Sequence, residues 1–363
     1  MTQEARLTID TTALAHNVAV LRSAVGSAKV MAVVKANAYG HGALECARAF
    51  EEAGVDWLGV VDLTEALALR EAGITLPVLS WLHAPGETFE SAVRHDVTPG
   101  VSDLAQLDAC VAAGVPAVHL VIDTGLSRNG ATEGEWEALF DRAADLGDRV
   151  LIEGLMTHVS NASPDEDRRQ IDLFERAFGM LIERGITPSV LHLAASAAAL
   201  TIAEARFTLV RFGLACYGLS PFPERTPADL GLRPALTLAV PVIGVKAVPA
   251  GEGTSYGFTW RASSDTRLAL LPIGYADGIE RVASNNARVL LGGKLRPVVG
   301  RIAMNALSVE IGPDDDIQLG DEAVLFGDAT AGHPTVDDWA EATGTINYEV
   351  VARLSARLPR TYR

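Results

Sequence analysis

The sequence predicts an α/β fold in which a TIM-type (β/α)8 barrel is followed by a C-terminal, mostly β domain. The chain has 363 residues, about twice the usual domain length, so two domains are expected. Up to Pro234, short apolar runs alternate with stretches of helical spacing. After Pro234, β-like runs follow one another without helices between them, which indicates a separate β domain.

Eight short apolar runs in the first part are predicted to be buried strands. They are Val30–Val34, Trp57–Val60, Val78–Trp81, Val97–Pro99, Val118–Ile122, Leu151–Met156, Val190–Leu193 and Phe207–Val210. Eight strands with interleaved helices favour a closed barrel. A doubly wound open sheet is the alternative, but it usually carries a GxGxxG loop after an early strand, and the Gly40–Gly42 stretch is not such a loop.

The clearest predicted helix runs from Asp167 to Arg184, and Gly185 follows it as a stop signal. Its apolar side chains fall on one face of the helix. They are Ile171, Phe174, Phe178 and Leu181.

Six β segments are predicted after the linker Pro221–Pro234. They are Ala235–Val248, Arg267–Ile273, Arg288–Leu291, Leu295–Val299, Ala306–Ile311 and Glu322–Phe326. We therefore expect residues 10–232 to form the barrel, and residues 233–363 together with 1–9 to form the β domain.

The charge balance limits the possible partners. Forty-six acidic against 30 basic residues give a net charge of −16. Binding of nucleic acid or of an anionic membrane surface requires a basic face, so neither is expected. Three scattered cysteines suggest neither a disulfide framework nor a metal site, and no apolar leader or 18-residue apolar run occurs. We expect a soluble, cytoplasmic protein that acts on a small molecule.

Only four of the basic residues are lysines, namely Lys29, Lys35, Lys246 and Lys294. Lysine, unlike arginine, can form a Schiff base with an aldehyde. Lys35 follows a predicted barrel strand, and the carboxyl ends of barrel strands carry the active site. Burial in the barrel mouth would lower the pKa of its amine and so favour the nucleophilic form.

The segment Val33–Gly42, VVKANAYGHG, resembles the cofactor-lysine motif of alanine racemases. Six further segments resemble the family's motifs in the same order, and together they span nearly the whole chain. They are Ile122–Gly130, Val210–Leu214 with Tyr217–Gly218, Thr254–Gly257, Gly274–Gly278, Gly300–Met304 and Thr345–Glu349.

The resemblance implies pyridoxal 5′-phosphate as cofactor and interconversion of L- and D-alanine as activity. Lys35 would hold the cofactor and act as a base on one face of the substrate Cα, and Tyr256 would act on the other face. Racemisation needs one proton acceptor and one donor on opposite faces of the same carbon. His158 and Arg211 match the histidine and the arginine near the ring that help this tyrosine to act as a base in the family, and Arg211 would also contact the pyridine nitrogen.

The resemblance also assigns the remaining contacts. Ser196 and the backbone amides of Gly213 and Leu214 match the phosphate cradle, with Tyr39 and Tyr348 as phosphate-side tyrosines. Arg128 matches the residue that contacts the phenolic oxygen of the cofactor and the substrate carboxylate. Met304 supplies a backbone contact near that carboxylate, and Tyr275 lines the substrate entrance. In the family the lysine and the tyrosine meet only across a head-to-tail homodimer.

Three positions depart from the family pattern. Val121 replaces a lysine that often supports the arginine at the position of Arg128. Ala195 replaces an asparagine, and Asn305 replaces an aspartate. These changes leave open an alternative, a paralogue that racemises, epimerises or decarboxylates another amino acid such as serine, because a few polar contacts often decide substrate choice. A non-catalytic cofactor carrier is a further alternative, which the second domain argues against.

Overall fold

The structure is a computed structural model and describes residues 5–363. The chain starts with strand β1 (Arg6–Ile9) and helix α1 (Thr11–Val25), and then forms the barrel. The eight parallel barrel strands are β2 (Lys29–Val33), β3 (Trp57–Val60), β4 (Val78–Ser80), β5 (Val97–Val101), β6 (Ala117–Val121), β7 (Leu151–Met156), β8 (Val190–His192) and β9 (Leu209–Phe212).

The strand order of this sheet is β8-β7-β6-β5-β4-β3-β2-β9. Two backbone hydrogen bonds bring its ends together, from Thr208 N to Leu191 O and from Arg211 N to Ala194 O. The predicted barrel is therefore confirmed. All eight strands lie within a few residues of their expected positions, and the last one is shifted from Phe207–Val210 to Leu209–Phe212.

Helices cover the outside of the barrel. They are α3 (Ala43–Glu52), α4 (Leu63–Glu71), α5 (Glu90–Arg94), α6 (Leu104–Ala113), α7 (Glu133–Leu146), α8 (Pro164–Glu183) and α9 (Ser196–Thr201). The short segment α2 (Lys35–Tyr39) is discussed with the site. Helix α8 begins three residues before its predicted start because Ser163 caps it and Pro164 occupies its first turn.

The second part of the chain contributes eight strands to a second sheet, namely β10 (Leu236–Pro241), β11 (Gly244–Val248), β14 (Thr266–Leu271), β15 (Arg288–Leu291), β16 (Lys294–Val299), β17 (Leu307–Glu310), β18 (Glu322–Phe326) and β19 (Arg360–Tyr362). Together with β1 they form a nine-stranded sheet with the order β11-β14-β17-β16-β15-β18-β10-β1-β19. A small hairpin joins β12 (Gly253–Thr254) to β13 (Trp260–Arg261). Helices α10 (Val336–Thr343) and α11 (Asn347–Ala352) complete this part.

Strand β1 pairs with β10 and β19, so residues from both ends of the chain share the second sheet. The predicted β domain includes residues 1–9, of which 1–4 lie outside the described residues. The boundary between residues 232 and 233 stays a prediction. The expected single segment Ala235–Val248 is wrong in detail, because the chain turns at Val242 and Ile243 to form two strands. Within residues 5–363, no helix combines the length and apolarity that a membrane crossing requires.

Candidate active site

A cavity of about 560 Å³ opens at the carboxyl ends of the barrel strands. Parallel strands place the residues that follow them at this same end. Nine of the predicted site residues line the cavity, namely Lys35, Tyr39, Arg128, His158, Ser196, Arg211, Gly213, Leu214 and Tyr348. Tyr348 lies in α11, so one helix from the second part of the chain completes the wall.

Lys35 begins a single left-handed turn. The four residues Ala36–Tyr39 all have φ of 52° or 53°, a conformation that costs L-residues roughly 1–2 kcal/mol each. Contacts with neighbouring elements hold the turn: Ala36 N donates to Glu65 Oε1 over 2.7 Å, and Gly42 N donates to Asn37 O over 2.9 Å. As a result, Lys35 and Tyr39 both line the cavity.

The ε-amine of Lys35 lies in a region of low solvent exposure and positive charge. Burial lowers its pKa, the guanidinium groups of Arg128 and Arg211 lower it further, and the Glu65 carboxylate partly opposes them. The neutral amine is thus more populated at neutral pH than for an exposed lysine. A neutral amine is the form that attacks a carbonyl carbon or accepts a proton.

Arg211 lies at the end of β9 and is 3% exposed. Its guanidinium donates to three backbone oxygens, those of His192 (2.9 Å), Thr157 (2.9 Å) and Leu193 (3.1 Å). It also donates to Nδ1 of His192 over 3.2 Å and to Nδ1 of His158 over 3.0 Å. Burial and Arg128 lower its pKa to about 9, so it stays protonated at neutral pH.

These contacts fix the histidine tautomers. A guanidinium can only donate, so the Nδ1 atoms of His158 and His192 accept, and a neutral ring then carries its proton on Nε2. His192 Nε2 lies 2.9 Å from His119 Nδ1, and His119 Nε2 lies 3.6 Å from a carboxylate oxygen of Glu153. A chain of polar side chains therefore runs from Arg211 through the barrel interior to Glu153 on β7.

His158 remains neutral because of its surroundings. Burial lowers its pKa to about 3, and the positive charges of Arg211, Arg128 and Lys35 act in the same direction. Its Nδ1 is occupied by Arg211, which leaves the Nε2–H as the free donor.

One wall of the cavity has the features of a phosphate cradle. Gly213 N lies 3.3 Å from Ser196 Oγ, and a Cβ on Gly213 would come within 2.2 Å of the Tyr39 hydroxyl. Glycine at this position therefore allows the Gly213 amide, the Ser196 hydroxyl and the Tyr39 hydroxyl to lie close together. The ring of Tyr348 is nearby, since its centroid lies 6.2 Å from that of Tyr39. Backbone N–H groups, serine and tyrosine are suitable phosphate donors.

The three departures from the family pattern have visible structural contexts. Val121 is 3% exposed and packs inside the barrel with Met31, Trp57 and Met156. Ala195 precedes α9 without a side-chain cap, as expected for a residue that lacks the amide of asparagine. Asn305 is exposed in the second part of the chain.

Three predicted site residues do not line the cavity. Tyr256 is 71% exposed, Met304 55% and Tyr275 44%. All three lie in loops of the second part of the chain.

Sequence reasoning did not assign a role to Glu65, Thr157 or His192, although each holds the left-handed turn or Arg211 in place. His192 does have a sequence signal, because it lies three residues before Ala195 in a segment, His192–Ser196, that resembles the family's HxxNS motif. Glu65 and Thr157 had no sequence signal, because their function depends on which strands and helices become neighbours.

The comparisons with known proteins agree with this geometry. The family model "Alanine racemase, N-terminal domain" matches residues 9–221, and "Alanine racemase, C-terminal domain" matches residues 235–362. An alanine racemase of Frankia casuarinae is 48% identical over 98% of this chain and 95% of its own length. One of Mycolicibacterium smegmatis is 47% identical over 99% of this chain and 94% of its own length.

Solved structures give the same result. The alanine racemase of a D-cycloserine-producing Streptomyces lavendulae superposes with a TM-score of 0.97 at 44% identity, covering 100% of this chain and 98% of that one. The Bacillus anthracis enzyme, solved with bound L-Ala-P, has a TM-score of 0.91 at 32% identity, with 100% and 96% coverage. The full-length agreement of both domains in sequence and in structure means that this chain belongs to the alanine racemase family of isomerases.

Proposed function

We propose that the chain is a pyridoxal-phosphate-dependent racemase that interconverts L-alanine and D-alanine by a two-base mechanism. The observation that carries the proposal is Lys35, an amine at the end of a barrel strand whose pKa is lowered by burial, by Arg128 and by Arg211, and which lines the same cavity as the Gly213 cradle. Membership of the alanine racemase family supports the assignment of alanine as substrate.

The residues present fit the cofactor. The amine of Lys35 suits covalent attachment to an aldehyde, and the cradle of Gly213, Leu214, Ser196, Tyr39 and Tyr348 suits a phosphate. Among residues 5–363, the buried guanidinium of Arg211 has no carboxylate as a hydrogen-bond partner, and a guanidinium can offer only protons to an acceptor atom facing it. Pyridoxal phosphate, when bound, supplies the electron-withdrawing ring system that makes the substrate Cα–H acidic.

The protein then performs four tasks. Arg128, exposed at the cavity rim, binds the substrate carboxylate. Lys35 accepts or returns a proton on one face of Cα, because its lowered pKa populates the neutral amine. Tyr256 does the same on the other face. The Nε2–H of His158 is available to donate to a phenolate oxygen, which would favour the ionised form of a tyrosine.

Tyr256 must come from a second copy of the chain. It is 71% exposed and does not line the cavity of its own subunit, whereas two-base chemistry requires both bases at one carbon. We therefore propose a head-to-tail homodimer in which each active site takes Lys35 from one subunit and Tyr256, Tyr275 and Met304 from the other.

Borohydride reduction followed by peptide mass spectrometry tests the proposal most directly. The holoprotein should carry the reduced cofactor on Lys35, and purified wild type should equalise L- and D-alanine. Lys35→Ala should show neither property. A label on a different lysine, or a labelled protein that leaves alanine optically pure and instead exchanges the α-proton of another amino acid, would contradict the proposal. The second outcome would favour the paralogue suggested by Val121, Ala195 and Asn305.

A further inference from the structure

Tyr256 lies in the tight loop between β12 and β13, and one side chain from outside holds that loop. Asn285 Oδ1 accepts from Gly300 N over 2.7 Å, and Asn285 Nδ2 donates to Thr259 Oγ1 over 3.2 Å. Thr259 follows Tyr256 by three residues. Asn285 therefore connects the Tyr256 loop to the segment that begins at Gly300.

The backbone of this region has positive φ at three non-glycine residues, Ser255, Phe258 (φ 46°) and Asn285. Ser255 has φ 60° and ψ −174°, a combination that is almost restricted to glycine, and Asn285 has φ 65°. Such conformations persist only where neighbouring contacts hold them. Ser255 Oγ donates to Arg301 O over 2.5 Å, so the residue directly before Tyr256 is tied to the same segment as Asn285.

Close packing joins the two segments further. A Cβ on Gly300 would lie 2.8 Å from Thr254 O. The segment after Gly300 also accepts two backbone hydrogen bonds from the Tyr275 loop, Tyr275 N to Ala303 O over 3.1 Å and Ala276 N to Met304 O over 2.9 Å. The three loops that present Tyr256, Tyr275 and Met304 thus form one connected unit, in which Asn285 is a side-chain link.

We propose that Asn285 is a positioning residue for Tyr256: its bonds to Thr259 and Gly300 fix the phenol where the second proton transfer takes place. The inference rests on the proposed role of Tyr256. Asn285 is itself exposed and its side chain fills no core space, so its removal should loosen the loop without opening a cavity in the fold.

Three variants separate this role from a general loss of stability. Asn285→Gly keeps the left-handed backbone and removes both hydrogen bonds. Asn285→Asp keeps two acceptors, and the Thr259 hydroxyl can donate to one of them, so it should behave like wild type. Asp96→Gly is the matched control, because Asp96 is also a left-handed non-glycine residue (φ 53°) but lies before β5, far along the chain from these loops.

The first measurement uses the full chain without added cofactor. Amide hydrogen exchange of the peptide covering residues 253–261 should be about tenfold faster in Asn285→Gly, because two exposed hydrogen bonds of small net strength are lost together. Asn285→Asp and Asp96→Gly should exchange at the wild-type rate. Unchanged exchange in Asn285→Gly would overturn the proposal, whether or not the protein racemises alanine.

The second measurement uses the holoenzyme. In Asn285→Gly, kcat should fall about tenfold with KM changed less than about twofold, since the phenol is misplaced in the chemical step rather than in substrate binding. The enantiomer whose α-proton faces Lys35 should still exchange that proton in heavy water faster than it racemises. Adding Thr259→Val should cause little further loss, because both changes break the same link. A positioning role would be contradicted if Asn285→Gly slowed α-proton exchange as much as racemisation. It would also be contradicted if the losses of kcat caused by Asn285→Gly and Thr259→Val were additive in the double variant.

Discussion

Arg211 Nη2 donates a hydrogen bond to Nδ1 of His158 over 3.0 Å, at the mouth of the barrel. The contact makes His158 an acceptor at Nδ1 and leaves its proton on Nε2. Burial and three cationic neighbours lower its pKa to about 3. A site rich in positive charge thereby contains a histidine that stays neutral at physiological pH and offers one fixed donor.

The buried neutral histidines predict acid-sensitive stability. Burial lowers the pKa of His158 to about 3 and that of His41 to about 4. Both folded-state pKa values lie below the pKa of about 6.5 that a histidine has in the unfolded chain. At a pH between the folded and the unfolded pKa, the unfolded chain therefore binds more protons than the folded one. Stability should be fully present above about pH 6.5 and fall as pH decreases toward 4, by about 1.4 kcal/mol per pH unit for each such histidine.

Urea denaturation between pH 4.5 and 7.5 measures this slope. His41→Gln removes one titrating group and should give a visibly shallower dependence, even though the variant is less stable at pH 7.5. Parallel curves for the variant and wild type would show that His41 does not titrate in this way.

Arg211 should contribute to stability as well as to chemistry. Arg211→Ala leaves the buried carbonyl oxygens of Thr157, His192 and Leu193 without their guanidinium donors. One unsatisfied buried acceptor costs about 1–3 kcal/mol. The loss at three acceptors should outweigh the relief of burying a charged guanidinium, which the lowered pKa of Arg211 reflects, so the free energy of unfolding should fall by about 2 kcal/mol. Chemical denaturation of the apoprotein measures it, and Arg184→Ala, which removes a more exposed arginine paired with Asp141, is the control. Equal losses in the two variants would contradict the assigned role.

The proposed phosphate cradle predicts a steric effect at Gly213. A methyl group there would come within 2.2 Å of the Tyr39 hydroxyl, so Gly213→Ala should displace Tyr39 and weaken pyridoxal phosphate binding at least about tenfold. Absorbance titration of the apoprotein measures the change. Gly179→Ala is the matched control, because a Cβ at Gly179 in α8 meets no atom within 4 Å. Unaltered affinity in Gly213→Ala would remove Tyr39 and Gly213 from the proposed cradle.

The barrel was predictable because parallel strands buried on both faces leave short apolar runs in the sequence. Strand β19 (Arg360–Tyr362) was not predictable from the sequence, because it contains two polar residues and forms only by pairing with β1 at the other end of the chain. Helix α10 was missed although Thr335 and Asp338 form a capping box that a sequence search could detect.

The position of Lys35 after an apolar strand was predictable, but the shape of its turn was not. Ala36, Ala38 and Tyr39 have no preference for positive φ, and only contacts such as that from Glu65 hold them there. The Asn285 link was equally invisible, since it depends on three loops meeting in space. Residue identity thus led to the proposed chemistry, whereas the supporting hydrogen bonds required the folded chain.

The proposed sharing of active sites between two subunits predicts that two inactive variants restore each other's activity. Lys35→Ala lacks one base and Tyr256→Phe lacks the other, so each homodimer should racemise very slowly. In a mixed head-to-tail dimer, one site receives both substitutions and the other receives neither. When the two chains are unfolded together and refolded in equal amounts, half of the dimers are mixed, and activity should reach about a quarter of wild type.

The same mixture separates the dimer from other arrangements. If Lys35 and Tyr256 acted within one chain, every site would lack one base and mixing would restore nothing. A mixture of Lys35→Ala with the double variant Lys35→Ala/Tyr256→Phe is the matched control, because no pairing of these chains creates an intact site. Activity in this control would reveal contamination with wild-type protein. If the control is inactive while the first mixture is active, Tyr256 must reach the barrel of the other subunit. The exposed position of Tyr256, outside the cavity of its own chain, is the reason to expect that result.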